Sequence, residues 1–326
     1  MSERFRAAWW LRNPHAQPVW AKFMRRTPLP ATRRERWELG DGDFLELERL
    51  DAPPGRPRLL VLHGLEGTPQ SHYVRGFFAE AQRRDWAADL LIFRCCGSEP
   101  NRLLRSYHSG ETGDLDQVVR RLVAREPGRP LLLAGVSLGA NVLLKWLGEQ
   151  GASAPPEVAR AAAISTPFDL AEGSRFLERG FSRAYGAHFL RTLKVKAREK
   201  NARFPGRLRW DDVVAARTLW EFDDAVTAPA HGFRDAEDYY ARSSSIDFLK
   251  AIRVPTLLLS AVDDPFLPPA VLERVRGIAK GNPALTAEFS EHGGHVGFVG
   301  GSVPWLPRYF AESHAVAFLE SETPEV

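Results

Sequence analysis

Cysteine and methionine are scarce in this chain of 326 residues, with two of each. The cysteines, Cys95 and Cys96, are neighbours in sequence, so they cannot staple distant segments and give no disulfide framework. They are too few for a thiolate zinc site, and no secretory leader is read at the amino terminus, so a reducing cytoplasm is the expected compartment. Lysine is scarce too, at seven against 37 arginines, and 41 acidic residues bring the net charge to +3. The arginines are scattered among acids rather than clustered with aromatic platforms, which argues against a nucleic-acid partner. Long apolar runs are missing. The amino-terminal stretch Ala7 to Leu11 is too short for a signal-peptide core, and no run elsewhere is long enough to span a bilayer. It leaves room for contact with a membrane surface, which nothing else in the sequence supports. Internal repeats and low-complexity tracts are also absent.

What is present is an alternation. Hydrophobic residues make up 44% and charged residues 26%, an ordinary balance for a chain that can bury a large sheet. "ERWELGDGDFLELERL" alternates apolar and polar positions around Gly40-Asp41-Gly42, which predicts a hairpin of edge strands. Short apolar runs then follow at Arg58–His63, Ala88–Phe93, Pro130–Val136 and Ala161–Ser165. Between them lie the amphipathic stretches Tyr73–Arg84, Thr112–Arg125 and Leu138–Glu149. Buried strands joined by crossover helices imply an α/β fold, a mostly parallel sheet with helices on both faces. The rhythm breaks at Pro167. Residues 167–253 are rich in Arg, Phe, Tyr and Trp, read as helical, and are too long for an ordinary connection. "VPTLLLSAVDDPFLPP" restores a strand, a helix follows over Ala270–Lys280, then the strand "ALTAEFSEH", and "WLPRYFAESHAVAFLE" closes the chain as a helix. The expected organisation is a core over 1–166, a helical lid over 167–253, and the rest of the core over 254–326. Ligands of such sheets bind at the carboxyl ends of the strands, where the lid would close a cavity.

One stretch carries chemistry. "LLLAGVSLGANVLLKW" ends a strand, turns on Gly-x-Ser-x-Gly and opens a helix. Gly135 and Gly139 could serve packing alone, letting a helix sit close to a sheet. They could also flank a nucleophile, Ser137, held on a strained turn at a helix amino terminus. A serine needs a base, and the base needs an orienting carboxylate; on a fold of this kind the chain order is Ser, acid, His. Both partners lie downstream in that order. Asp264 is favoured as the acid by its position after the strand, with Asp263 the competitor. His295 is favoured as the base because two glycines let it reach back to the sheet, while His292 suits a loop role. The backbone N–H of Leu138 and that of Leu65, in "LHGLEG", are the expected oxyanion donors. A plain glycine turn is the bland reading of the second. Tyr107, His108 and Glu111 are expected to edge the site in a structural role. The other histidines lack a metal-ligand pattern with carboxylates, so neither metal nor cofactor is expected.

These segments together resemble a branch of the α/β-hydrolase superfamily that includes the bacterial YheT-type esterases and animal hydrolases of lipid esters. The similar stretches are "NPHAQPVW", "LHGLEGTPQSHYVRG", "RCCGSEPNRLLRSYHSGETGDL", "GVSLGANVLLKWLGE", "DDPFLP" and "HGGHVGF". The resemblance implies the α/β-hydrolase fold, a serine esterase acting on a small-molecule ester, and a triad of Ser137, Asp264 and His295. Two departures stand out. Cys95 occupies a position where the family often has glycine, and Ala140 follows Gly139 where a second glycine is common. Neither touches a proton-transfer group. An acyltransferase using the same acyl-enzyme, and a non-catalytic binder keeping the cavity, are the rival readings. Natural substrate and oligomeric state are not legible.

Overall fold

Apolar strands feeding amphipathic helices build the sheet that positions the site. In the computed structural model, which describes residues 4–321, a short helix α1 (Ala16–Met24) precedes the hairpin β1 (Arg33–Glu38) and β2 (Phe44–Leu50). The outermost residues of the expected 1–166 and 254–326 portions lie outside the described range. The alternation then runs β3 (Arg58–Leu62), α2 (His72–Arg83), β4 (Ala87–Ile92), α3 (Gly113–Arg125), β5 (Leu131–Val136), α4 (Leu138–Gln150) and β6 (Val158–Ile164).

Six α-helices follow before the next strand: α5 (Leu170–Leu177), α6 (Ser182–Arg203), α7 (Trp210–Ala215), α8 (Leu219–Phe222), α9 (Ala228–His231) and α10 (Ala236–Ser243). A π-helical turn, Asp223–Thr227, joins α8 to α9. The chain returns through β7 (Thr256–Ala261), α11 (Pro269–Lys280), β8 (Leu285–Ser290), the short pair β9 (Val299–Gly300) and β10 (Arg308–Tyr309), and α12 (Phe310–Glu320).

The eight-stranded sheet has the order β1-β2-β4-β3-β5-β6-β7-β8, with β2 antiparallel to both neighbours and the rest parallel. The period of two along each central strand sorts side chains to two faces. Leu60, Leu62, Leu131 and Leu133 pack towards α3, α4 and α11; Leu59, Val61, Leu132 and Val136 pack towards α2 and α12. Strands covered on both faces need continuous apolar runs, which is why β3, β4, β5 and β7 are buried throughout.

Two expectations are corrected. The hairpin does not form two edge strands, because β2 pairs with β4 and only β1 lies at the edge. The closing helix begins at Phe310 rather than Trp305. Pro307 disfavours helix before it, and Arg308–Tyr309 pairs with Val299–Gly300 instead. Among the described residues, no helix is long and apolar enough to cross a membrane.

Candidate active site

The turn between β5 and α4 is built by its glycines. A Cβ on Gly139 would lie 2.5 Å from the carbonyl oxygens of Leu62 and His63, and one on Gly135 would lie 2.6 Å from Ala140 Cα. The packing reading of both glycines is therefore correct, and it does not displace the chemical one. Ser137 adopts φ 54° and ψ −121°, a strained conformation for a residue with a side chain. The strain lifts Oγ out of the sheet at the start of α4, where the helix carries partial positive charge.

Asp264 follows β7 and His295 follows β8, so both reach the same end of the sheet as Ser137. His295 Nε2 lies 2.9 Å from Ser137 Oγ. Its Nδ1 lies 2.9 Å and 3.1 Å from the two carboxylate oxygens of Asp264. Nδ1 can only donate to a carboxylate, so a neutral His295 offers Nε2 as the acceptor for the serine hydroxyl.

The competing residues have other work. Asp263 accepts from the Gly294 N–H and sits 3.1 Å from His292 Nδ1, fixing the loop that carries His295. Burial raises the Asp263 pKa, and the Gly294 amide and His292 only partly oppose this. Phe266, which sequence reasoning passed over, stacks on the His295 ring at 3.9 Å between centroids and 7° between planes. Its N–H also donates to Asp264. The "DDPF" run was the available signal, but nothing in it says where the ring points.

Leu65 and Leu138 flank Ser137 at this end of the sheet. Both line the same cavity as Ser137 and His295. Among the described residues, neither of their backbone N–H groups has a protein acceptor, although Ser137 N–H is occupied by Ile164. The loop leading to Leu65 presses against the serine, since a Cβ on Gly64 would lie 3.2 Å from Ser137 Cβ. His63 anchors its start. Burial lowers the His63 pKa to about 4, so the ring is neutral, accepting from the Phe93 N–H through Nε2 and donating to the Gly64 carbonyl through Nδ1.

The cavity measures about 610 Å³. Leu170, Leu177, Phe189, Leu193, Phe222 and Val226, from the helical segment between β6 and β7, make much of its apolar wall. One carboxylate interrupts that wall. Asp223 accepts from the hydroxyls of Thr227 and Tyr240, at 2.5 Å and 2.6 Å, and burial raises its pKa to about 6. At the cavity edge, Tyr107 donates to Glu66, a residue the sequence did not single out. The thiols are poor nucleophiles. Burial raises the pKa of Cys95 and pushes that of Cys96 up to about 12.

His108, Glu111 and His231 bring one nitrogen or oxygen each within 4.8 Å of one another, a composition that could ligate a divalent metal. Their existing bonds work against that. His108 Nδ1 accepts from the Gly110 N–H, so the neutral ring keeps its proton on Nε2, which faces Glu111 Oε2 at 3.6 Å. Arg105 already pairs with the same carboxylate. A cation would have to displace both.

Residues 57–302 match the family model described as the alpha/beta hydrolase fold. The chain is 38% identical to the esterase-designated protein YheT of Escherichia coli (strain K12), over 96% of this chain and 89% of that one. It is 29% identical to the phospholipase ABHD3 of Mus musculus, over 96% of this chain and 78% of that one. Among solved structures, the Pyrococcus furiosus esterase Pf2001 superposes with a TM-score of 0.54 at 16% identity, covering 82% of this chain and 84% of that one. At that identity the likeness concerns the fold alone.

Proposed function

Because the chain belongs to the alpha/beta hydrolase fold family, and to its esterase and lipase type, we propose that it cleaves carboxylic esters through an acyl-enzyme on Ser137. The observation that carries this reading is the bonded line Ser137 Oγ, His295 Nε2, His295 Nδ1, Asp264. His295 takes the serine proton as Oγ attacks the ester carbonyl, and Asp264 holds the imidazole tautomer and stabilises the imidazolium. The amides of Leu65 and Leu138 bind the developing oxyanion, a contribution of about 3 kcal/mol per donor in comparable sites. His295 then returns the proton to the leaving alcohol. Water repeats the cycle on the acyl group and releases the acid. Every step uses groups of this chain and water.

The segment 167–253 acts as the lid, and the apolar side chains it turns inwards favour an acyl chain in the cavity. Ser137→Ala is the test. Turnover of an activated nitrophenyl ester should fall to background, on the order of 10⁶-fold, while circular dichroism and the melting temperature stay as in the wild type. A folded Ser137→Ala protein with unchanged turnover would refute the assignment.

A further inference from the structure

Four residues from separate parts of the chain meet beside the loop that aims the Leu65 amide. Glu66 directly follows Leu65 and has φ 57°, in the left-handed region that residues with side chains rarely adopt. Something must hold it there. Its N–H donates to the Tyr107 hydroxyl at 3.0 Å, and the same hydroxyl donates back to Glu66 Oε1 at 2.7 Å. Lys196 Nζ, from the middle of α6, donates to Glu66 Oε1 at 2.6 Å and lies 3.4 Å from Cys96 Sγ. The ion pair is largely enclosed, with side-chain exposures of 26% for Lys196 and 13% for Glu66.

We propose that Lys196 is a positioning residue for the oxyanion loop: seated on Glu66, it lets the helical lid fix the peptide that follows Leu65, and with it the direction in which the Leu65 N–H points. The inference rests on the ester-cleavage reading above and deepens it. Lys196 touches no reacting atom in this scheme and acts only through Glu66.

Three arguments support the assignment. The first is geometric. The Leu65 N–H lies in the peptide shared with Gly64, whose carbonyl accepts from His63 Nδ1. The next peptide, shared by Leu65 and Glu66, is gripped at the Glu66 N–H by Tyr107 and through the Glu66 side chain by Lys196, so Leu65 is restrained from both sides. A donor amide stabilises an oxyanion only when it is aimed beforehand, so a loop in a strained conformation needs such external restraint.

The second is compositional. The chain holds seven lysines to 37 arginines, yet α6 alone carries Lys194, Lys196 and Lys200. Lys194 docks on the Val214 and Ala216 carbonyls within the helical segment, and Lys200 docks on the Leu103 and Asn101 carbonyls of the core. Lys196 alone of the three docks on a carboxylate. Its ammonium also lies 3.4 Å from Cys96 Sγ and 5.7 Å from the centre of the Tyr107 ring.

The third is electrostatic. Removing the ammonium would leave Glu66 charged, poorly solvated and beside the Tyr107 hydroxyl, so the loop would be free to rearrange. The consequence is a site completed only when the lid is seated. A substrate too large for α6 to settle would find the nucleophile in place but one oxyanion donor misaimed.

The test compares Lys196→Met, Lys196→Arg and Ser137→Ala using a nitrophenyl ester and a boronic acid that forms a tetrahedral adduct with a reactive serine. For Lys196→Met, kcat should fall 10- to 100-fold with KM within threefold, and boronate affinity should weaken by the same factor as kcat. Lys196→Arg should recover most of both. Amide exchange in the peptide around Leu65 should accelerate in Lys196→Met without a matching rise elsewhere in the sheet. A purely structural lysine would instead lower the melting temperature and leave kcat per folded molecule and boronate affinity unchanged; that result overturns the proposal. Inactive Ser137→Ala alongside unaffected Lys196→Met would sink the positioning role alone. Active Ser137→Ala would sink the serine reading and the positioning role with it.

Discussion

Asp263 and Asp264 are adjacent, chemically identical and both buried enough to be costly, yet they point to different imidazoles. The turn after β7 decides this, since Phe266 N–H donates to Asp264 and Gly294 N–H donates to Asp263. Exchanging either for asparagine separates their roles. Asp264→Asn should lower kcat about 10³- to 10⁴-fold, because the amide would favour the wrong tautomer of His295. Asp263→Asn should cost tenfold or less, through loosening of the loop. Steady-state kinetics on the two purified variants checks both numbers, and equal losses would mean the acid had been misassigned. This distinction was half legible beforehand. Strand-end position favours Asp264, but only the three-dimensional turn shows what occupies Asp263. Ser137 and His295 were legible because each sits in a local turn whose glycines announce an unusual backbone. Glu66 and Lys196 were not, being 130 positions apart in segments that read as ordinary polar turn and helix. The same holds for the Phe266 ring, whose placement over His295 depends on the fold.

At the scale of elements, the alternation of strands and helices was readable because a doubly covered sheet demands long apolar runs. The exceptions have physical causes. α1 is nine residues long with Pro18 in its first turn, where proline is tolerated, so periodicity had little length to work with. The π-helical turn Asp223–Thr227 has no sequence signature, and it sets a carboxylate in an apolar wall. That placement predicts a pH effect. The folded Asp223 keeps its proton up to about pH 6, against an ordinary value of 3.8 for an aspartate. Between these values the folded chain binds a proton that the unfolded chain has lost, so stability falls as pH rises through the window. Above it the ionised group costs up to about 3 kcal/mol. Asp223→Asn should therefore raise the melting temperature at pH 8 and flatten its dependence between pH 4 and 6. Thermal melts across that range would show it, and a variant less stable at pH 8 than at pH 4, by the wild-type margin, would count against the argument.

For the whole molecule, the sheet supplies rigidity and the helical segment supplies shape. The proposed reacting groups stand on turns after three different strands, while most of the apolar wall comes from residues between β6 and β7. The proposed chemistry and the cavity wall thus lie in separate stretches of chain, the first carried by local turn motifs and the second by a segment with no such motif. Acyl preference should follow the wall. Across nitrophenyl esters of increasing length, kcat/KM should rise as each buried methylene contributes up to about 0.8 kcal/mol, then fall once the cavity is full. Leu177→Trp should move that maximum to shorter chains without lowering kcat for acetate. An unchanged length profile would show that the acyl group lies elsewhere.

The serine and the histidine that meets it are 158 positions apart. A ribosome making this chain therefore releases the alcohol first, then the helical segment, and the proposed base only after β8. In that scheme, until β8 and the loop after it dock, residue 137 is no more reactive than any other serine. On the proposed mechanism, nascent chains that stop short of residue 295 should therefore be chemically silent.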